Sequence, residues 1–135
     1  MKRIFKYSAA IFCAVLMTLA VTAPAQATEA YKPGVVKAAV AKGQTVVLHF
    51  YDPQCKICRT QAAVLNKLRK KNPKYARSMR FFRIDWPTYK DHAIVKTYKV
   101  ESQSTIVLAN KRQILGRVTV RKSESVIKKL LDKGL

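Results

Sequence analysis

Apolar residues change their spacing from segment to segment along the chain, and each spacing predicts an element. Residues 45–50, Thr-Val-Val-Leu-His-Phe, are nearly continuously apolar, the pattern of a strand buried on both faces. Over 55–71, Ile57, Val64, Leu65 and Leu68 fall on one face of a helix, which stops before Asn72-Pro73. Residues 79–84 predict a second strand. Residues 88–98 predict a second long helical segment, irregular at its start because of Pro87. Two further strands, 105–109 and 114–120, are joined by a polar turn over 110–113. A short helix over 35–42, opened by Pro33 and stopped by Gly43, precedes all of these. A last helix over 124–133 is capped by Ser123, and its basic end suits the helix dipole.

The order is α, then βαβ, then α, then a β-hairpin, then α. A βαβ unit demands parallel strands and a right-handed crossover, and a hairpin adds antiparallel ones. The expected fold is α/β, a mixed four-stranded sheet with helices on both faces.

The chain start does not fit that pattern. Lys2, Arg3 and Lys6 precede an apolar run over about 9–21, and Ala25 and Ala27 follow in the small-residue spacing that a signal peptidase reads. Residues 1–27 are therefore expected to be a secretory signal peptide, and 28–135 a single domain. The apolar run is shorter than the roughly 20 residues of a membrane span. Cys13 lies in the middle of it, after the bulky Phe12, and a lipid anchor is not expected. The protein is read as exported, most simply to a periplasm, with secretion the other possibility.

Composition adds a strong charge. Lys and Arg number 27 against 7 Asp and Glu, for a net +20. The cations are spread through the chain rather than gathered in one block. They suit an acidic protein partner or an anionic surface, or merely a solvated basic surface. Nucleic acid is not an expected partner outside the cytoplasm, and a monomer is expected.

Cysteine usage carries the chemistry. Beyond the leader only Cys55 and Cys58 remain. A disulfide between them closes too small a loop to stabilise a fold much. They sit where a buried strand gives way to a helix. The free N–H groups and the dipole of that first turn favour an anion, so Cys55 is the expected nucleophile. Lys56 and Arg59 add positive charge. Cys58, one turn on, is placed to attack a mixed disulfide and release the product. Asp52 is read as a helix cap and His92 as a solvated residue, with Trp86 packing at a strand end.

The segment Val46-Val-Leu-His-Phe-Tyr-Asp-Pro-Gln-Cys-Lys-Ile-Cys58 resembles the active-site segment of the thioredoxin superfamily. The likeness continues through Phe82-Arg-Ile-Asp85, Tyr98-Lys-Val100, Thr105-Ile-Val-Leu108 and Leu130-Leu131. It is strongest to small periplasmic thioredoxin domains. It implies the thioredoxin fold, a thiol–disulfide oxidoreductase with no cofactor or resident metal, and protein thiols or disulfides and a redox partner protein as its partners. It also implies a substrate-binding edge at Ser104, Thr105 and Gln54.

Several positions depart from the family. Ser104 stands where the family has a cis-proline, and a cis peptide before a non-proline costs about 2.5–4 kcal/mol, so a trans bond is expected. His49 stands where the family often buries an acid. It is either a core histidine or a proton acceptor for Cys58. Gln54 replaces an aromatic, and Arg112 and Val120 replace glycines. Two other functions compete: a Cu(I) or Zn(II) carrier using Cys55 and Cys58, perhaps with His49, and a non-enzymatic binding module.

Overall fold

The computed structural model describes residues 27–135. The proposed leader, apart from Ala27, lies outside them. The elements run β1 (Glu29–Ala30), α1 (Val35–Ala41), β2 (Thr45–Tyr51), α2 (Lys56–Lys71), α3 (Lys74–Ser78), β3 (Met79–Asp85), α4 (Trp86–Tyr89), α5 (Ala93–Thr97), β4 (Thr105–Ala109), β5 (Ile114–Thr119) and α6 (Glu124–Asp132).

The sheet has five strands rather than four, in the order β1-β3-β2-β4-β5. β2 and β3 are parallel, β1 adds to β3 in parallel, and β4 and β5 are antiparallel to their neighbours. The additional strand is only two residues long, too short to show a period. The Arg80 guanidinium on β3 holds it in place by binding the Glu29 carboxylate at 2.6 and 2.9 Å.

The near-continuous apolar run of β2 reflects its central position, with a core on each side. Val46, Leu48 and Phe50 face one core, where Tyr31, Val36, Ala39 and Tyr98 pack. Val47 faces the other, built with Leu65 and Leu68 of α2, Tyr75 of α3, and Ile127, Leu130 and Leu131 of α6. Trp86 packs edge-on against Phe50, at 6.5 Å between ring centres.

Local chemistry moves some predicted boundaries. The long helical segment after β3 is two short helices. Asp85 caps α4, accepting the Thr88 N–H at 3.1 Å, with Pro87 in its first turn. His92 then breaks the helix in extended backbone and caps α5 through Nδ1, which also faces the Tyr31 hydroxyl at 3.4 Å. His92 is thus a half-buried capping residue rather than a solvated one. Pro73 leads into α3, a short helix that the sequence pattern does not show. Ser123 occupies the N-cap of α6 without a capping side-chain bond. Glu124 there is bound instead by Lys67 and Lys71 of α2, at 2.6 and 2.9 Å.

Candidate functional site

The site begins where β2 runs out. Asp52 does not cap α2. Its carboxylate accepts the Gln54 N–H at 2.8 Å and its carbonyl accepts the Cys55 N–H at 3.0 Å, which folds residues 52–55 into a turn. Arg59 fastens the turn from the helix side by donating to the Pro53 carbonyl at 2.8 Å. The cap is Cys55 itself, whose sulfur accepts the Cys58 N–H at 3.2 Å. A helix N-cap acceptor satisfies one of the orphan amides of the first turn, and here that acceptor is a sulfur.

The two thiols are free and unequal. Cys55 is half-buried and Cys58 is fully buried. Burial pushes the Cys55 thiol up. Hydrogen bonds from the Cys58 thiol, the Ser104 hydroxyl and the amides of Cys58 and Ile57 outweigh it, so the thiol is held below its ordinary value. Cys58 moves the other way. Burial raises it most, a backbone hydrogen bond from Asp52 and the Ser104 hydroxyl pull it down, and the neighbouring Cys55 sulfur adds to the rise, which wins. The first proton to leave the pair is therefore that of Cys55.

Ser104 reaches both sulfurs. Its Oγ lies 3.0 Å from Cys55 Sγ and 3.1 Å from Cys58 Sγ. The described residues contain no cis peptide, in line with the expectation for the bond before Ser104. Its backbone is left-handed, with φ 62°. A non-glycine residue spends about 1–2 kcal/mol to stand there. Three bonds hold it: its N–H donates to the Phe50 carbonyl at 3.0 Å, and its carbonyl accepts from the Val120 N–H at 2.8 Å and from Gln61 Nε2 at 2.9 Å. Of the other residues expected at a substrate edge, Gln54 is exposed beside Cys55. Thr105 is buried and directs its hydroxyl to the Ser102 carbonyl and Thr119, at 2.9 and 3.3 Å.

His49 lies beneath α2, buried to 3% exposure. Its Nε2 meets Gln61 Oε1 at 3.0 Å. The Gln61 amide donates to two carbonyls, Ser104 at 2.9 Å and Arg121 at 2.8 Å. With both amide hydrogens spent, its oxygen faces His49 as an acceptor, and the proton of a neutral His49 sits on Nε2. Burial lowers the imidazole to about 4; the Gln61 bond pulls it up, and the Arg83 charge pushes it down. The hydrogen bonds of His49 thus reach the cysteines through Gln61 and the Ser104 backbone rather than directly. Gln61 is the functional neighbour that sequence reading missed. A polar residue one turn beyond Cys58, amid the apolar positions of α2, was the available signal. No cluster of three or more His, Cys, Asp or Glu side chains suited to a metal ion occurs among the described residues.

A half-buried thiol held toward the thiolate at a helix start, a buried second thiol one turn on, and a βαβ unit ahead of a hairpin are placed in one structure. The family model described as Thioredoxin matches residues 26–133. The chain belongs to the thioredoxin family. Its fold is close to that of Trxlp from Edwardsiella tarda EIB202, at 27% identity and a TM-score of 0.68 over 78% of this chain and 98% of that one. Thioredoxin of Entamoeba histolytica, solved as a cysteine-to-serine mutant, shares the fold at 18% identity and a TM-score of 0.63, with the same coverage of 78% and 98%. The oxidised thioredoxin of Plasmodium falciparum shares it at 15% identity and a TM-score of 0.64, over 79% and 97%. No curated protein sequence matches the chain. Within this family frame, the Cys55/Cys58 pair supports thiol–disulfide exchange.

Proposed function

We propose that this thioredoxin-family protein is a thiol–disulfide oxidoreductase exchanging electrons with protein disulfides or dithiols outside the cytoplasm. The observation that carries the reading is the inequality of its two thiols. Cys55 is accessible, anchored at a helix start and held toward the thiolate, while Cys58 is buried and held toward the thiol. In the reducing direction, the Cys55 thiolate attacks one sulfur of the partner's disulfide. A mixed disulfide forms, and the partner's other sulfur leaves as a thiol or thiolate. Cys58 then loses its proton and attacks Cys55 Sγ, which frees the second partner sulfur and leaves Cys55 and Cys58 joined as a disulfide. The oxidising direction runs these steps backward.

His49 enters as a positioning residue, holding Gln61 against the Ser104 and Arg121 carbonyls. Exposed Lys56 and Arg59 beside Cys55 favour a partner with acidic residues near its reactive cysteine. The charged start, apolar run and Ala25-Gln26-Ala27 step support export.

Two experiments test this reading. Equilibration of the purified protein in glutathione buffers, followed by alkylation and mass measurement, should show one two-electron transition consuming Cys55 and Cys58 together. Thiols that never convert to a disulfide, or bound copper or zinc lost when either cysteine is replaced, would point to a metal carrier instead. Intact-mass measurement on an extracytoplasmic fraction should give a chain beginning at Thr28. Full-length protein confined to the cytosol would overturn export.

A further inference from the structure

Among the described residues, Ser104 is the one side chain whose hydroxyl stands within hydrogen-bond distance of both sulfurs, at 3.0 Å from Cys55 Sγ and 3.1 Å from Cys58 Sγ. A hydroxyl has one proton, so it donates to one sulfur while accepting from the other. The surroundings decide which. Cys58 is fully buried and keeps its proton, so it is the donor to Ser104 Oγ. The half-buried Cys55 sulfur already accepts the Cys58 N–H and receives the Ser104 proton as well. Other side chains nearby are committed elsewhere: the His49 Nε2–H to Gln61, the Gln61 amide to two carbonyls and the Thr105 hydroxyl to Ser102.

This chain of bonds belongs to one redox state. A thiolate is a charged acceptor and a thiol is a donor. Once Cys55 and Cys58 are joined, the pair holds neither, and a disulfide sulfur is a weak acceptor. The Ser104 hydroxyl therefore favours the reduced pair, and stabilising the reduced form makes a dithiol couple more oxidising. We propose that Ser104 raises the reduction potential of the Cys55/Cys58 pair by bonding its reduced form, which biases the protein toward accepting electrons from partner dithiols. The proposal rests on the thiol–disulfide reading and gives it a direction. In that direction a partner dithiol is oxidised to its disulfide, and the Cys55–Cys58 bond breaks as the pair takes up two electrons. Of the two protons the partner gives up, one stays on Cys58 and the other passes to water. Cys55 is left as the thiolate that Ser104 binds.

The backbone is held for this contact. The left-handed Ser104, tied by Phe50, Val120 and Gln61, carries its hydroxyl between the two sulfurs. The proline that the resemblance implies there has no hydroxyl to offer. The charged groups on the segments around Cys55 are Asp52, Lys56 and Arg59, and those on the segments around Ser104 are Glu101 and Arg121. They are unchanged by a substitution at 104, and His49, behind Gln61, titrates only near 4.

The test equilibrates wild type, Ser104→Gly and Ser104→Ala in glutathione buffers from about pH 5 to 9, quenches with acid and reads the oxidised fraction by alkylation and mass. Both variants lack the hydroxyl, and glycine accepts the left-handed backbone without strain, so a folding defect common to both is not expected. The glutathione couple is the same in every mixture, and its own pH dependence cancels from the ratio of wild type to variant. At the alkaline end each variant should be about tenfold easier to oxidise than wild type, which is a potential lower by about 30 mV. The difference should fade as pH drops below the Cys55 pKa, because the thiolate that accepts the bond is then gone. The alkylation pKa of Cys55 should rise in both variants by about one unit, the same tenfold. A difference equal at every pH, no difference, or one of opposite sign overturns the proposal and leaves the exchange reading intact. A wild type that forms no Cys55–Cys58 disulfide at any glutathione ratio overturns the exchange reading itself, and the proposal with it.

Discussion

A charged imidazolium at position 49 would sit without water, beneath α2 and under the field of Arg83, which is why His49 is lowered to about 4 from 6.5. The linkage sign follows. In the unfolded chain His49 takes up a proton near its ordinary value, while in the fold it stays neutral until about pH 4. The stabilisation is therefore full above about pH 6.5 and is lost as pH falls from there through 4. At most about 3 kcal/mol is involved. Urea unfolding at pH 7, 6, 5 and 4 should show wild type losing stability across this window more steeply than His49→Leu. Parallel curves would mean that His49 does not carry the dependence. At this scale the cysteine pair was fully legible, because its spacing and its place after an apolar strand are local facts. The position of Ser104 in the family pattern was legible, but its grip on both sulfurs was not. That contact joins residues 46 and 49 positions apart. A separation of 43 positions likewise hid the bond of Gln61 to Ser104.

Between β5 and α6 the chain turns tightly at Val120. The Arg121 N–H donates to the Thr119 carbonyl at 2.7 Å around a Val120 with φ 62°. A β-branched residue rarely stands there. The resemblance implies a glycine here, which would stand at this φ without strain. Val120→Gly should raise stability by about 1 kcal/mol, read as a higher urea midpoint at unchanged slope. A lower midpoint would show that packing of the half-exposed valine outweighs the strain. The element pattern explains which parts of the fold the sequence foresaw. β2, α2, the β4–β5 hairpin and α6 were visible because each is long enough to show a period. β1 and α3 were too short, and the 88–98 segment was read as one helix. Its division depends on His92 capping α5 with Nδ1, a choice its period does not encode.

Across the whole molecule, charge is the dominant property. Exposed cations, including Lys56 and Arg59 beside Cys55, stand against few acids. If a partner is acidic near its cysteine, the rate of mixed-disulfide formation should fall as salt rises from 0.05 to 0.5 M, since screening shortens to a few ångströms over about that range. A rate flat in salt would leave the basic surface without a role in encounter. The βαβ-plus-hairpin order was enough to give the layers of the fold, since chirality and strand parallelism leave few alternatives. The division of labour proposed for Cys55 at the start of α2 and Cys58 inside its first turn is read out by the single-cysteine variants. Cys58→Ala should accumulate a covalent complex with a protein disulfide substrate, visible on a non-reducing gel and lost with reductant. Cys55→Ala should trap little, and Cys55 in wild type should alkylate with an apparent pKa below the roughly 8.5 of a free cysteine. Equal trapping by the two variants, or an alkylation pKa at or above the free value, would contradict the assignment.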